Sequence, residues 1–159
     1  MRSGVKKARA HIDAGHKALP LDDAIGGDKM MDKAERSAAL LGRRVLVVED
    51  EPFIAMTLED MLTDFGCVVV GSASQINEAL AIIAIGELDA AVLDVNLGAQ
   101  KIDPVADELA RRGFPFVFTT GYGRTGVPSQ HNGRGVVEKP FRAQDLATAL
   151  AMELVRLSR

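Results

Sequence analysis

A chain of 159 residues, 47% of them hydrophobic, can fill one core with an appendage but not several domains. Its 19 basic and 22 acidic residues leave a net charge of −3, without the basic excess of a general nucleic-acid binder. The single cysteine, Cys67, excludes an intrachain disulfide, and no apolar run is long enough for a membrane span.

The chain begins MRSGVKKARAHIDAGHK, basic but with no apolar stretch behind the charges, so it does not read as a secretory signal, and the cytoplasm is the expected location. Residues 1–42 are expected to be an N-terminal extension, disordered over 1–27. One helix is expected over 29–41, with Asp28 as cap, Gly42 beyond its end, and Met30, Ala34, Ala38 and Leu41 on one face.

From residue 43 onward short β-rich runs alternate with helical patterns. Arg44–Val48 reads as a buried strand. Pro52 opens a helix that Gly66 closes. Cys67–Val70 is the second strand, and Ser74 can cap a helix running to Ile85. Ala90–Leu93, Phe116–Thr119 and Val136–Val137 supply three more strands. Asp103–Arg112 and Ala143–Leu157 supply two more helices. Between the fourth and fifth strands, GYGRTGVPSQHNGRG has no helical periodicity, so the fourth helix is expected to be short, frayed or absent. The repeat predicts an α/β fold: a five-stranded parallel doubly wound sheet of the flavodoxin-like order.

In such sheets ligands bind outside the carboxyl ends of the strands. At those ends stand Glu49 and Asp50, then Asp94 and Asn96, then Thr120, then Lys139 and Pro140. Three converging carboxylates repel unless a cation intervenes, and a hard ion such as Mg²⁺ prefers this oxygen set. Lys139 adds an ammonium and Thr120 a hydroxyl, both suited to the oxygens of a transferring phosphoryl group. Asp94 would then be the nucleophile. Each residue alone is better explained as a turn or cap residue; the conjunction at four strand ends favours a site.

The motifs VVEDEP (47–52), AAVLDVNL (90–97), FVFTTGYG (116–123) and VVEKPF (136–141), in this order, resemble response-regulator receiver domains of two-component signalling over residues 43–159. The resemblance implies that Asp94 is the phosphoacceptor. Glu49, Asp50 and Asp94 would hold Mg²⁺ together with the backbone carbonyl of Asn96. Thr120 would be the switch hydroxyl, and Lys139 the phosphoryl-binding lysine with a cis bond to Pro140. It also implies that Asn96 and Tyr122 border the path of attacking water. FTTGYG is similar to a subfamily pattern, Phe-Ala-Thr-Gly-x-Tyr or Gly, whose receivers pair with HWE and HisKA2 histidine kinases. Thr119 stands where that pattern has Ala.

Many receivers carry an aromatic three residues before the lysine; here it is Val136, which removes the aromatic swing. Ordering of the loop 121–135 around Thr120 is the switch expected instead. The expected function is that of a stand-alone phosphoacceptor. It would be phosphorylated by a histidine kinase or phosphotransfer protein and would signal by protein contact or act as a phosphate sink. It would not be an enzyme turning over a separate substrate. The alternative is a pseudo-receiver, a binding scaffold independent of phosphorylation. His11, His16 and His131 lack metal-ligand spacing, and Cys67 reads as a small core residue.

Overall fold

The computed structural model describes residues 31–157. The expected disorder over 1–27, together with Asp28, Met30, His11 and His16, lies outside them. Residues 32–157 belong to one compact unit.

The first element is helix α1, Lys33–Leu40. Asp32 caps it: Oδ1 accepts the Glu35 N–H at 2.8 Å, and Glu35 Oε2 accepts the Asp32 N–H at 3.3 Å. This reciprocal cap is worth about 1 kcal/mol and sets where the helix begins. The start at Lys33 also corrects the expected face. Arg36, Ala39 and Leu40 are buried, while Ala34, Ala38 and Leu41 face solvent. α1 packs against the last helix of the chain.

The strands are β1 (Arg44–Val48), β2 (Val68–Ala73), β3 (Ala90–Asp94), β6 (Phe116–Thr120) and β7 (Val136–Glu138), all parallel, in the order β2-β1-β3-β6-β7. A second, two-stranded antiparallel hairpin joins β4 (Asn96–Leu97) to β5 (Gln100–Lys101). The other helices are α2 (Pro52–Asp64), α3 (Ile76–Ile85), α4 (Asp103–Arg111) and α5 (Ala143–Leu157). The order is the doubly wound one expected, and β3 and β6 are buried along their whole length, as central parallel strands must be.

Side chains alternate across the sheet. Leu46, Val48, Ala91, Leu93, Phe116 and Phe118 share a core with Ile76, Ala79 and Ile83 of α3 and Val105, Ala106 and Leu109 of α4. Val45, Val47, Val92 and Val117 turn to the opposite face, where α2 and α5 contribute Leu58, Leu62, Leu146 and Leu150. Cys67 precedes β2 rather than opening it. It is buried, with Sγ 3.5 Å from the Leu40 carbonyl, and burial pushes its thiol up to about 11. It remains the small core residue expected. The cap of α3 is shifted by one residue, to Gln75. Glu78 takes the N–H groups of Ser74 and Gln75 and the Ser74 hydroxyl, so Ser74 is satisfied without capping the helix itself.

The segment between β6 and β7 has no α-helix. Two short 3₁₀ turns, Gly123–Gly126 and Ser129–His131, take its place. That matches the expected short or absent fourth helix, and the segment is nonetheless well anchored. Val127 joins the core. Arg124 donates to the carbonyls of Asn132 at 3.0 Å and Arg134 at 3.4 Å. Glu153 of α5 accepts the Gly135 N–H at 2.9 Å. Among the described residues no helix is long and apolar enough to cross a membrane.

Candidate functional site

Four neighbouring strands deliver their carboxyl ends to one crevice. β1 is followed by Glu49 and Asp50, β3 ends on Asp94, β6 ends on Thr120, and β7 is followed by Lys139. The register sets Asp94 beside Thr119 and Thr120 beside Glu138, so the parallel strands end level at the crevice. Glu49, Asp50 and Asp94 each offer a carboxylate oxygen within 4.8 Å of the others. Lys139 Nζ lies 3.2 Å from Glu49 Oε1 and 3.3 Å from Asp94 Oδ2. The Lys139–Pro140 bond is cis.

Burial is the main influence on Glu49. It raises the carboxyl to about 7, Asp94 adds repulsion, and the Glu51 N–H and Lys139 work the other way. Burial opposes the charge on Lys139, but Asp94 and Glu49 outweigh it and hold that ammonium above its ordinary value. The crevice is therefore short of positive charge: one ammonium is shared between two of three clustered carboxylates. That oxygen-only donor set fits a hard divalent cation such as Mg²⁺.

The hairpin β4–β5 forms one wall. Asn96 donates its N–H to Asp94 Oδ1 at 3.3 Å, fixing the approach of the chain to the carboxylate. Gly98 has φ +60°, and a Cβ there would stand 3.5 Å from Asp50 Oδ2, so the turn's backbone lies directly over that oxygen. Thr120 is fully buried, and its hydroxyl accepts the Tyr122 N–H at 3.0 Å. The Tyr122 ring is 77% exposed, which rules out packing over the site as its role. Glu51 is exposed and contributes only its N–H, to Glu49 Oε2 at 3.0 Å.

Two features escaped the sequence reading. The two-residue strands of the hairpin are too short for any periodicity to reveal. His131, in the segment without helical periodicity, is buried. Its Nε2 is 2.7 Å from Asp107 Oδ1 on α4, and its ring meets Phe116 edge-on with centroids 5.5 Å apart. The pairing spans 24 positions, which local sequence does not disclose.

The fold is that of a receiver module. The family model for the response regulator receiver domain matches residues 45–151, and the chain belongs to that family. It is 46% identical to SdrG from Sphingomonas melonis Fr1, whose solution structure covers 73% of this chain and 98% of its own, with a TM-score of 0.65. The BeF3-activated conformation of SdrG, from Pseudomonas melonis Fr1, matches at 47% identity over 70% of this chain and 95% of that one, with a TM-score of 0.61. The transcriptional regulatory protein PdtaR of Mycobacterium tuberculosis is 30% identical over 74% of this chain and 60% of its own length. An anti-anti-sigma factor PhyR mutant from Bartonella quintana matches at 27% identity over 79% of this chain and 53% of its own, with a TM-score of 0.68. The chain thus spans little more than half of PdtaR and PhyR and nearly all of SdrG.

Proposed function

We propose that this receiver is a phosphoacceptor that takes a phosphoryl group on Asp94 from a histidine kinase or phosphotransfer protein. The observation that carries the reading is the meeting of Asp94, Glu49, Asp50 and Lys139 within ion-pair and ligand distance at four strand ends. Glu49, Asp50 and Asp94, with the carbonyl of Asn96, would hold Mg²⁺. When bound, the ion supplies the positive charge that the three equatorial phosphoryl oxygens require. Asp94 Oδ attacks phosphorus as the bond to the donor's leaving group breaks. The Lys139 ammonium, freed from part of its present pairing, binds one phosphoryl oxygen. The Thr120 hydroxyl turns to donate to another, giving up its hold on the Tyr122 N–H. Asn96 and Tyr122 border the departing face and set the lifetime of the phosphate. The chain acts by catalysing only its own phosphorylation and dephosphorylation, in the cytoplasm, and signals by protein contact or drains phosphate.

The FTTGYG segment, similar to the subfamily pattern, favours a kinase of the HWE or HisKA2 class as donor. A groove of about 380 Å³ lined by Ile54, Thr57, Lys139, Pro140 and Phe141 adjoins the crevice and suits the donor protein. Phe53 on the same helix is 83% exposed. Phe53→Glu would block transfer from a phosphorylated kinase of that class and leave labelling by acetyl phosphate intact; loss of both, or of neither, contradicts the docking site.

The reading is tested by amide chemical shifts during titration with beryllofluoride and Mg²⁺. Saturable changes at Asp94, Thr120 and Lys139 that need both reagents are expected. No change would favour the alternative, a scaffold that works without phosphate.

A further inference from the structure

The crevice poses an electrostatic problem to its own substrate. A phosphodonor such as acetyl phosphate arrives as an anion, and the first groups it meets are Glu49, Asp50 and Asp94, with Glu51 exposed beside them. Lys139, the ammonium inside the crevice, is already divided between Glu49 and Asp94. With Mg²⁺ bound, its two charges and that of Lys139 only balance the three carboxylates, so long-range attraction comes from the rim, where local charge changes association rates by tenfold or more.

Among the described residues, four cations stand on the connections beside the crevice. Lys139 is paired as described. Arg142 is paired with Asp145 at 3.3 Å. Arg124 keeps its full charge, but its guanidinium is held by the carbonyls of Asn132 and Arg134 and is not free to swing toward an incoming anion. Lys101 is the fourth; it is exposed and has no carboxylate within ion-pair distance.

The hairpin aims Lys101. Its Cα pairs with that of Asn96 across β4–β5, and directly opposed residues on an antiparallel pair project to the same face. Leu97, next along β4, is buried in the core. Alternation therefore turns Asn96 and Lys101 to the other, solvent-facing side of the hairpin, which is tied to the crevice by the Asn96 N–H on Asp94 Oδ1. A lysine side chain carries its ammonium about 6 Å from Cα, enough to reach across its cross-strand neighbour toward the mouth of the crevice.

We propose that Lys101 is a positioning residue for phosphoryl uptake, an unpaired ammonium on the hairpin rim that draws the phosphoryl dianion into the crevice. The inference rests on the phosphoacceptor reading. With acetyl phosphate the new bond joins Asp94 Oδ to phosphorus, and acetate leaves with the electron pair of the broken P–O bond. Lys101 takes no proton and forms no bond; it speeds the encounter.

The test is the rate of adduct formation with acetyl phosphate and Mg²⁺, followed by intact mass at low and at high ionic strength. Wild type, Lys101→Ala, Lys101→Glu and Lys101→Arg are compared. At low salt Lys101→Glu should be slower by about tenfold and Lys101→Ala by about threefold, while Lys101→Arg keeps the wild-type rate. At high salt the differences should collapse, because exposed charges are screened. Lys101→Glu matching wild type at low salt overturns this inference alone. So does a defect that persists unchanged at high salt, which would mark a structural role. Wild type that forms no adduct overturns the phosphoacceptor reading, and this inference with it.

Discussion

The hydroxyl of Thr120 accepts the backbone N–H of Tyr122 at 3.0 Å, so the residue expected to sense the phosphoryl group also holds the first turn of the segment behind it. Turning that hydroxyl inward costs the Tyr122 amide its acceptor. Beyond it Arg124 is held by the carbonyls of Asn132 and Arg134, Val127 sits in the core and His131 is fixed to Asp107. The change should therefore stay within residues 121–126. Hydrogen exchange with and without beryllofluoride and Mg²⁺ is expected to alter protection there and leave 127–135 as it was. Altered protection across the whole of 121–135 would restore the broader loop-ordering switch and contradict the anchored one.

Glu49 gives the site a pH dependence of definite sign. Its folded value of about 7 lies above the ordinary 4.5, so folding favours the protonated carboxyl. Without metal, that contribution is present in full below pH 4.5 and is lost as pH rises through about 7. The melting temperature of metal-free wild type should fall over this window relative to Glu49→Gln. A Mg²⁺ ion held by Glu49 would compete with the same proton, so its apparent affinity should weaken by up to tenfold per unit below pH 7. Calorimetric titrations on either side of that pH check this; an affinity independent of pH would contradict it.

Thr119 carries a buried hydroxyl with no hydrogen-bond partner among the described residues. An unpaired buried hydroxyl costs about 1–3 kcal/mol, and valine keeps the shape without it. Thr119→Val is expected to raise stability by about 1 kcal/mol in denaturant melts and to leave phosphorylation unchanged. Destabilisation by a similar amount would show that the hydroxyl has a partner in solution.

His131→Ala removes a buried ring packed against Phe116 and Phe118 and its bond to Asp107. It should cost on the order of 2–3 kcal/mol. Asp107→Ala should cost about 1 kcal/mol, because Asp107 is half-exposed and water can take its place. Equal losses in the two variants would mean that the hydrogen bond, not the ring, holds the segment.

The main lines of this fold are legible in the chain because its strands are dense in β-branched residues and its turns are marked by Gly and Pro. The positions of Glu49, Asp50, Asp94, Thr120 and Lys139 follow from one rule about strand ends. What stayed hidden depends on non-local partners. His131 looks like a loop residue until α4 brings Asp107 to it. The buried face of α1 was misread because Asp28 was taken for the cap where Asp32 serves, and the exposed Leu41 looked like its apolar edge. The hairpin over Asp50 rests on two-residue strands and on the positive φ of Gly98, neither of which a periodicity discloses.

The most direct test is the intact mass of wild type and Asp94→Asn after incubation with acetyl phosphate, with and without Mg²⁺. One phosphoryl adduct on wild type, dependent on Mg²⁺ and absent from Asp94→Asn, is the predicted result. An adduct of equal yield on Asp94→Asn would contradict the assignment of Asp94. Absence of any adduct, with no beryllofluoride binding, would contradict the phosphoacceptor account as a whole.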